Sequence, residues 1–234
     1  MIVVLCNLRK DGFVVSIIRF KFQRKEALRF LSHLDQLRLF QRAFRRANIE
    51  IEHSQGFNPH PKLAFAQAMS VGMMSDEEYA DVTVKGTITI DEFMQKIDAA
   101  LPEGLCVNDA WYIEKGTLSL NASMCESEYE INVDLSHSIS EQDVQRAIDK
   151  VLTQKAIIIE RRTKKGKMTE KDIRPFIKTL KIKKMEVSSI TFQLTVIYIE
   201  QQCVKPMIVL QKLNIEAFIL DPTVFMVRKR LKLT

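Results

Sequence analysis

The sequence predicts a mixed α+β fold in which one β-α-β-β-α-β succession of elements occurs twice. Three observations predict it. Strict apolar/polar alternation marks residues 16–23 as a strand, Ser-x-x-Asp boxes open a helix in each half, and a small polar stretch separates the halves.

In residues 16–23 (SIIRFKFQ), Ile18, Phe20 and Phe22 alternate with Arg19, Lys21 and Gln23, the period of a strand with one buried face. Ser32 followed by Asp35 then starts a helix near His33. Its apolar stripe is Leu34, Leu37, Phe40, Phe44 and Ala47, and Arg38, Arg42 and Arg45 share the opposite side. Residues 49–52 read as a short strand, residues 63–70 and 79–85 as two more. Residues 91–101 read as a second amphipathic helix ended by Pro102 and Gly104, and residues 105–114 as a closing strand.

The second half follows the same order. Residues 129–135 alternate as a strand, Ser140 with Asp143 caps a helix to about Thr153, and residues 156–162 form a β-branched run. Residues 189–199 are the clearest strand of the chain, residues 206–213 a short helix, and residues 224–228 a final strand. No residue-level identity joins the halves, so the repeat rests on element order alone. This order is the ferredoxin-like arrangement, with antiparallel sheets carrying helices on one face. The expected domains are residues 16–115 and 124–234, joined by a linker at 116–123 (GTLSLNAS). Residues 1–14 fit neither half. A start at a GTG valine codon, Val14 or Val15, accounts for that, with a ribosome-binding-like sequence readable in the codons of Arg9, Lys10 and Asp11.

With 46% apolar and 27% charged residues, the 234-residue chain is composed to bury a core. It has no apolar stretch of the length a membrane span requires. Four cysteines without a CxxC pair give no zinc or iron–sulfur pattern and no disulfide framework, so a reducing cytoplasmic setting is expected, with no metal and no cofactor. P-loop, GxGxxG, GxSxG and HExxH motifs are missing.

The net charge of +6 is unevenly placed. Residues 19–75 hold ten Lys/Arg against four Asp/Glu, and residues 161–184 hold eleven against two, which leaves the rest of the chain net acidic. Two basic blocks in an acidic frame fit an anionic partner, nucleic acid first; the alternative is a pair of solvated lysine-rich faces. Nothing marks an element that reads a DNA sequence. Residues 161–174 (RRTKKGKMTEKDIR) carry Arg161, Arg162, Lys164, Lys165, Lys167 and Arg174 around Gly166, a pattern for a basic hairpin that grips a phosphate backbone.

The leading candidate site is the loop at residues 54–62, SQGFNPHPK. Gly56 permits a turn, and Pro59 and Pro61 restrict Asn58 and His60 to extended geometry, so ordering the loop costs less entropy. It offers Ser54, Gln55, Asn58, His60 and Lys62 as polar groups and Phe57 as a stacking face or core anchor. His60 and His33 are the candidate catalytic groups, since imidazole titrates near neutrality; a non-catalytic contact is the alternative. Arg38, Arg42 and Arg45 extend the binding set, with Asp35 partly neutralising Arg38.

Residues 28–72, with FLSHLD and SQGFNPHPK inside them, closely resemble the opening of a family of bacterial radical-SAM-associated proteins of unknown function. The segment KKGKMTEKDIRPFI resembles that family's basic segment. The resemblance implies a radical-SAM protein as partner, encoded beside it or fused to it. This chain lacks the CxxxCxxC that would hold the cluster itself. Family genes near ribonuclease and ribosomal-protein genes favour a link to RNA, and no catalytic residue carries over. The expected function is an accessory RNA-binding or substrate-presenting protein beside a radical-SAM enzyme. The alternatives are an RNA-processing or RNA-modifying enzyme using a loop histidine, and a protein-interaction subunit.

Overall fold

A computed structural model of the protein describes residues 7–8, 14–162 and 166–234. The chain is a mixed α+β protein of helices and mostly antiparallel sheet, and it divides into two compact units, Met1–Met124 and Cys125–Thr234.

In the first unit, β1 (Asn7–Leu8) pairs antiparallel with the start of β2 (Val14–Arg24). Val14 and Val15 therefore belong to a strand, and the remainder of the anomalous N-terminal stretch lies outside the described residues. Helix α1 (His33–Arg46) begins where the capping box places it: Ser32 Oγ accepts from the Asp35 amide at 3.2 Å. It ends in a Schellman turn. Asn48 takes φ 54°, the Ile49 amide donates to Phe44 O at 3.0 Å and the Asn48 amide to Arg45 O at 3.2 Å. Next come β3 (Leu63–Phe65), β4 (Met73–Lys85), α2 (Ile90–Ala100), capped by Thr89, and β5 (Leu105–Ile113). Pairings of β2 with β4 and β5, and of β3 with β4, give the strand order β5-β2-β4-β3, all antiparallel.

Ile18, Phe20 and Phe22 meet Phe40 and Phe44 of α1 and Phe93 and Ile97 of α2 in one buried cluster, so both helices cover the same face. Four expectations shift here. Leu34 is exposed rather than part of the helix stripe, because α1 buries the side that carries Gln36, Phe40, Ala43 and Phe44, and Leu34 faces away from it. Residues 49–52 form only bridged rungs, Ile51 opposite Val84, and the strand expected over 63–70 stops at Phe65. Ala66 still donates to Tyr79 O at 2.9 Å, and beyond it the chain leaves the strand, with Ser70 O held by the Arg24 guanidinium at 3.0 Å. Residues 116–123 are packed structure rather than an open linker: Ser119 caps α3 (Leu120–Ser123), Leu120 is buried, and Leu118 O accepts from Arg19 at 3.1 Å.

In the second unit, β6 (Met124–Leu135) is followed by α4 (Glu141–Thr153), with Ser140 accepting from the Asp143 amide as its sequence requires. Two strands, β7 (Ile158–Arg162) and β8 (Met168–Asp172), then pair only with each other among the described strands. The sheet continues with β9 (Ile177–Met185), β10 (Ser189–Ile197), the short helix α5 (Pro206–Gln211) and β11 (Ile219–Leu233). Its order is β11-β6-β10-β9. The run at 156–162 thus belongs to a hairpin outside this sheet; the strand in its expected place is β9. Two β-bulges interrupt the β9–β10 register and Lys178, Lys181, Lys183 and Lys184 stand exposed along β9. The last strand runs well beyond the expected 224–228. Tyr129, Ile131, Val133, Val144, Ile148 and Phe192 lie in its core.

Candidate functional site

The loop at 54–62 grows from the Schellman turn of α1. That turn sends Ile49 and Ile51 into the core, and the Glu52 amide donates to Thr83 O of β4 at 2.8 Å. The return limb is pinned alongside. Lys62 donates from its amide to Glu52 O at 2.7 Å and from Nζ to Glu52 Oε1 at 2.9 Å. Above this base Ser54 closes the loop twice, donating its amide to His60 O at 2.8 Å and accepting from the His60 amide through Oγ at 2.9 Å. Gly56 sits at φ 131°, where any side chain would be strained.

What this closure presents is polar, with one ring at the tip. Gln55, Asn58, Pro59 and His60 are exposed, and Phe57 is 111% exposed, with its ring entirely in solvent. The core-anchor reading of Phe57 is therefore excluded.

His33 and His60 serve different places. His33 packs its ring edge-on against Phe65 at 5.8 Å, and its Nδ1 is buried without a hydrogen-bond partner. His60 lies at the mouth of the loop, its main chain spent on Ser54, and no hydrogen bond or ring contact links the two histidines among the described residues. Arg38, Arg42 and Arg45 are exposed on α1 as expected, and Arg38 meets Asp35 at 3.5 Å across solvent. Such a surface pair is worth little.

The β7–β8 hairpin holds the second candidate set. Its rungs put Arg161 opposite Thr169 and Arg162 opposite Met168, and Gly166 turns at φ 81°. Arg161, Arg162 and Lys167 are exposed, and neither arginine forms an ion pair among the described residues; Lys164 and Lys165 lie outside those residues. The hairpin is anchored near its base, where Lys171 donates to Gln202 Oε1 at 3.0 Å and lies over the Phe176 ring. The Ile157 amide donates to Asp172 Oδ1 at 2.8 Å and the Ile173 amide to Ile157 O at 2.9 Å.

Arg174 belongs to that base and not to the arm. Its Nε and Nη2 donate to Leu152 O, closing the C-terminal end of α4, and its Nη1 donates to Ile177 O at 2.8 Å.

Sequence reasoning missed two polar assemblies. Buried Arg24 donates to Leu31 O, Gln36 Oε1, Ser70 O and Met73 O, clamping the turns at 29–32 and 70–72. On β6 and β11, Glu126, Glu128, Arg230 and Lys232 line a cleft of about 90 Å³. Hydrogen bonding to Lys178 holds the Glu126 carboxyl below the usual carboxylate range. Only the regular spacing of Glu126, Glu128 and Glu130 along one strand could have signalled this row. No cluster of three His, Cys, Asp or Glu residues among the described residues is placed to hold a metal ion. No helix among them is long and apolar enough to cross a membrane.

A model of the family described as uncharacterized protein conserved in bacteria (DUF2344) matches residues 18–206. The chain belongs to this family. The DUF2344 match takes in the loop at 54–62, helix α1 and the whole β7–β8 hairpin. A search of the curated proteins finds no match. Among solved structures, a chain from a crystal structure of a Cbf5–Nop10–Gar1 complex aligns at a TM-score of 0.48 and 10% identity. That alignment covers 92% of this chain and 48% of the other, so the chain spans about half its length. A crystal structure of an unknown protein from Galdieria sulphuraria aligns at a TM-score of 0.27 and 12% identity, over 94% of this chain and 99% of the other. Neither likeness is close enough to bear on function.

Proposed function

We propose that the protein is an RNA-binding accessory subunit that presents its substrate to a radical-SAM enzyme. The β7–β8 hairpin carries the RNA part of this reading. It is a two-stranded arm with no third strand among the described strands, tied down near its base, and Arg161, Arg162 and Lys167 stand exposed on it. An isolated ribbon buries too little to be there for the core's sake. A guanidinium pair on such an arm suits phosphate, which it contacts without selecting a sequence. The radical-SAM partner is supported by the resemblance of FLSHLD and SQGFNPHPK alone, and the loop is the surface that meets substrate or partner. Both units are read as ferredoxin-like, supported by the matching orders β5-β2-β4-β3 and β11-β6-β10-β9.

Filter binding of single-stranded RNA between low and moderate salt tests this. Affinity should fall steeply with salt. The Arg161→Ala/Arg162→Ala protein should show a log–log slope shallower by about 1.4, since each phosphate left without its arginine removes about 0.7. Absence of binding at low salt, or an unchanged slope in the double variant, refutes the hairpin as the RNA grip.

A further inference from the structure

We propose that the loop at 54–62 is a receptor for one unpaired nucleobase, with Phe57 as the stacking face and the amides of Gln55 and Asn58 as its edge readers. This rests on the RNA-binding reading and names what the loop takes.

A fully exposed phenyl ring is costly to leave in water, since burying one is worth about 1.5–3 kcal/mol. A flexible loop would relieve that cost by folding the ring back onto the protein. Here it cannot. The two Ser54–His60 hydrogen bonds, the His53–Pro61 bridge and the Lys62–Glu52 pair fix both limbs, and Pro59 stiffens the tip. The ring is held away from its own fold, so the entropy of presenting it is spent before any ligand arrives.

The neighbours decide the kind of ligand. An apolar pocket on another protein would call for a cluster of apolar anchors, and Phe57 is the one large apolar side chain of the loop. Around it stand Gln55 and Asn58, whose amides each offer a donor and an acceptor side by side, the pattern that pairs with a base edge. A ring to stack on and amides to read an edge are what recognition of unpaired RNA bases uses. A base presents its face for stacking where it is free of a duplex, so the ligand is single-stranded.

Phe57 touches nothing in its own protein, so its substitution leaves the fold intact. The probe is an unstructured single-stranded oligoadenylate, with an RNA duplex of equal length as comparison. Phe57→Ala should weaken oligoadenylate binding by about 5- to 150-fold, the worth of one stacked base, while the salt slope stays that of the wild type. Phe57→Trp should keep the affinity, Phe57→Leu should lose most of it, and duplex binding should not respond. Wild-type affinity in Phe57→Ala overturns the base receptor while leaving the hairpin's RNA binding in place. Wild-type affinity in Phe57→Leu overturns stacking in favour of plain apolar contact. Failure of the wild type to bind either RNA at low salt removes the RNA reading, and this one with it.

Discussion

Phe20→Ala is expected to destabilise the first unit by about 3–5 kcal/mol, the usual cost of removing a fully buried phenylalanine. Phe20 lies where β2 crosses beneath both helices. Its ring stands 6.1 Å from Phe22, 5.8 Å from Phe40, 6.2 Å from Phe44 and 5.7 Å from Phe93. Alanine would leave a void walled by four aromatic rings, which cannot collapse to fill it as flexible aliphatic chains would. Phe20→Leu should cost roughly half as much, because most of the volume stays. Trp111, the single tryptophan of the chain, sits on β5 of the same unit and reports this unit's unfolding by fluorescence. Its midpoint should fall by roughly 6–20 °C, at about 2–4 °C per kcal/mol in chains of this size. A shift below a few degrees would show that the aromatic cluster does not hold the unit together.

Arg24→Met should cost a similar amount, about 3–5 kcal/mol, for a different reason. The methionine fills much of the same space. It leaves Leu31 O, Ser70 O, Met73 O and Gln36 Oε1, which Arg24 serves at 2.7–3.1 Å, without that donor, and the bonds to Gln36 and Met73 are buried. The loss should also be visible locally. The Gly72 amide donates to Arg29 O at 2.8 Å across the two turns that Arg24 clamps, and its hydrogen exchange should accelerate well beyond the change in global stability. Unchanged protection at Gly72 would show that the turns hold each other without the arginine.

The parts of the fold that sequence conveys are those with a local cause. Ser32–Asp35 and Ser140–Asp143 start their helices by bonding within three residues, so both starts are legible. β2 and β10 alternate because each has one buried face. What escapes is decided at a distance. Residues 63–70 look like one strand, but pairing ends after Phe65 and the turn that follows is held by Arg24 through Ser70 O, a partner 46 residues away. Leu34 has the spacing of a core residue relative to Leu37, but α1 buries the side that carries Gln36, Phe40, Ala43 and Phe44, and Leu34 stands off that side. β9 carries four lysines and two register shifts, which erase its alternation, whereas the β-branched residues of β7 imitate a core strand in an exposed arm. For the candidate site, sequence located the loop and the hairpin. It could not tell that Phe57 faces solvent, that Arg174 is spent on Leu152, or that His33 packs against Phe65, since each depends on partners brought in by folding.

The outer edge of β9 has a consequence for the protein as a population of molecules. Among the described strands β9 has β10 as its one neighbour, so its other side offers unpaired backbone groups to any extended chain it meets. Lys178 and Lys183 reach Glu126 and Glu130 of β6 and Lys184 pairs with Glu186, while Lys181 has no ion pair among the described residues, so the edge is guarded chiefly by the two bulges, which break the regular register a second strand would need. Strands so guarded resist edge-to-edge polymerisation. The same register shifts that hide β9 from a reader of the sequence also make it a poor template for strand addition.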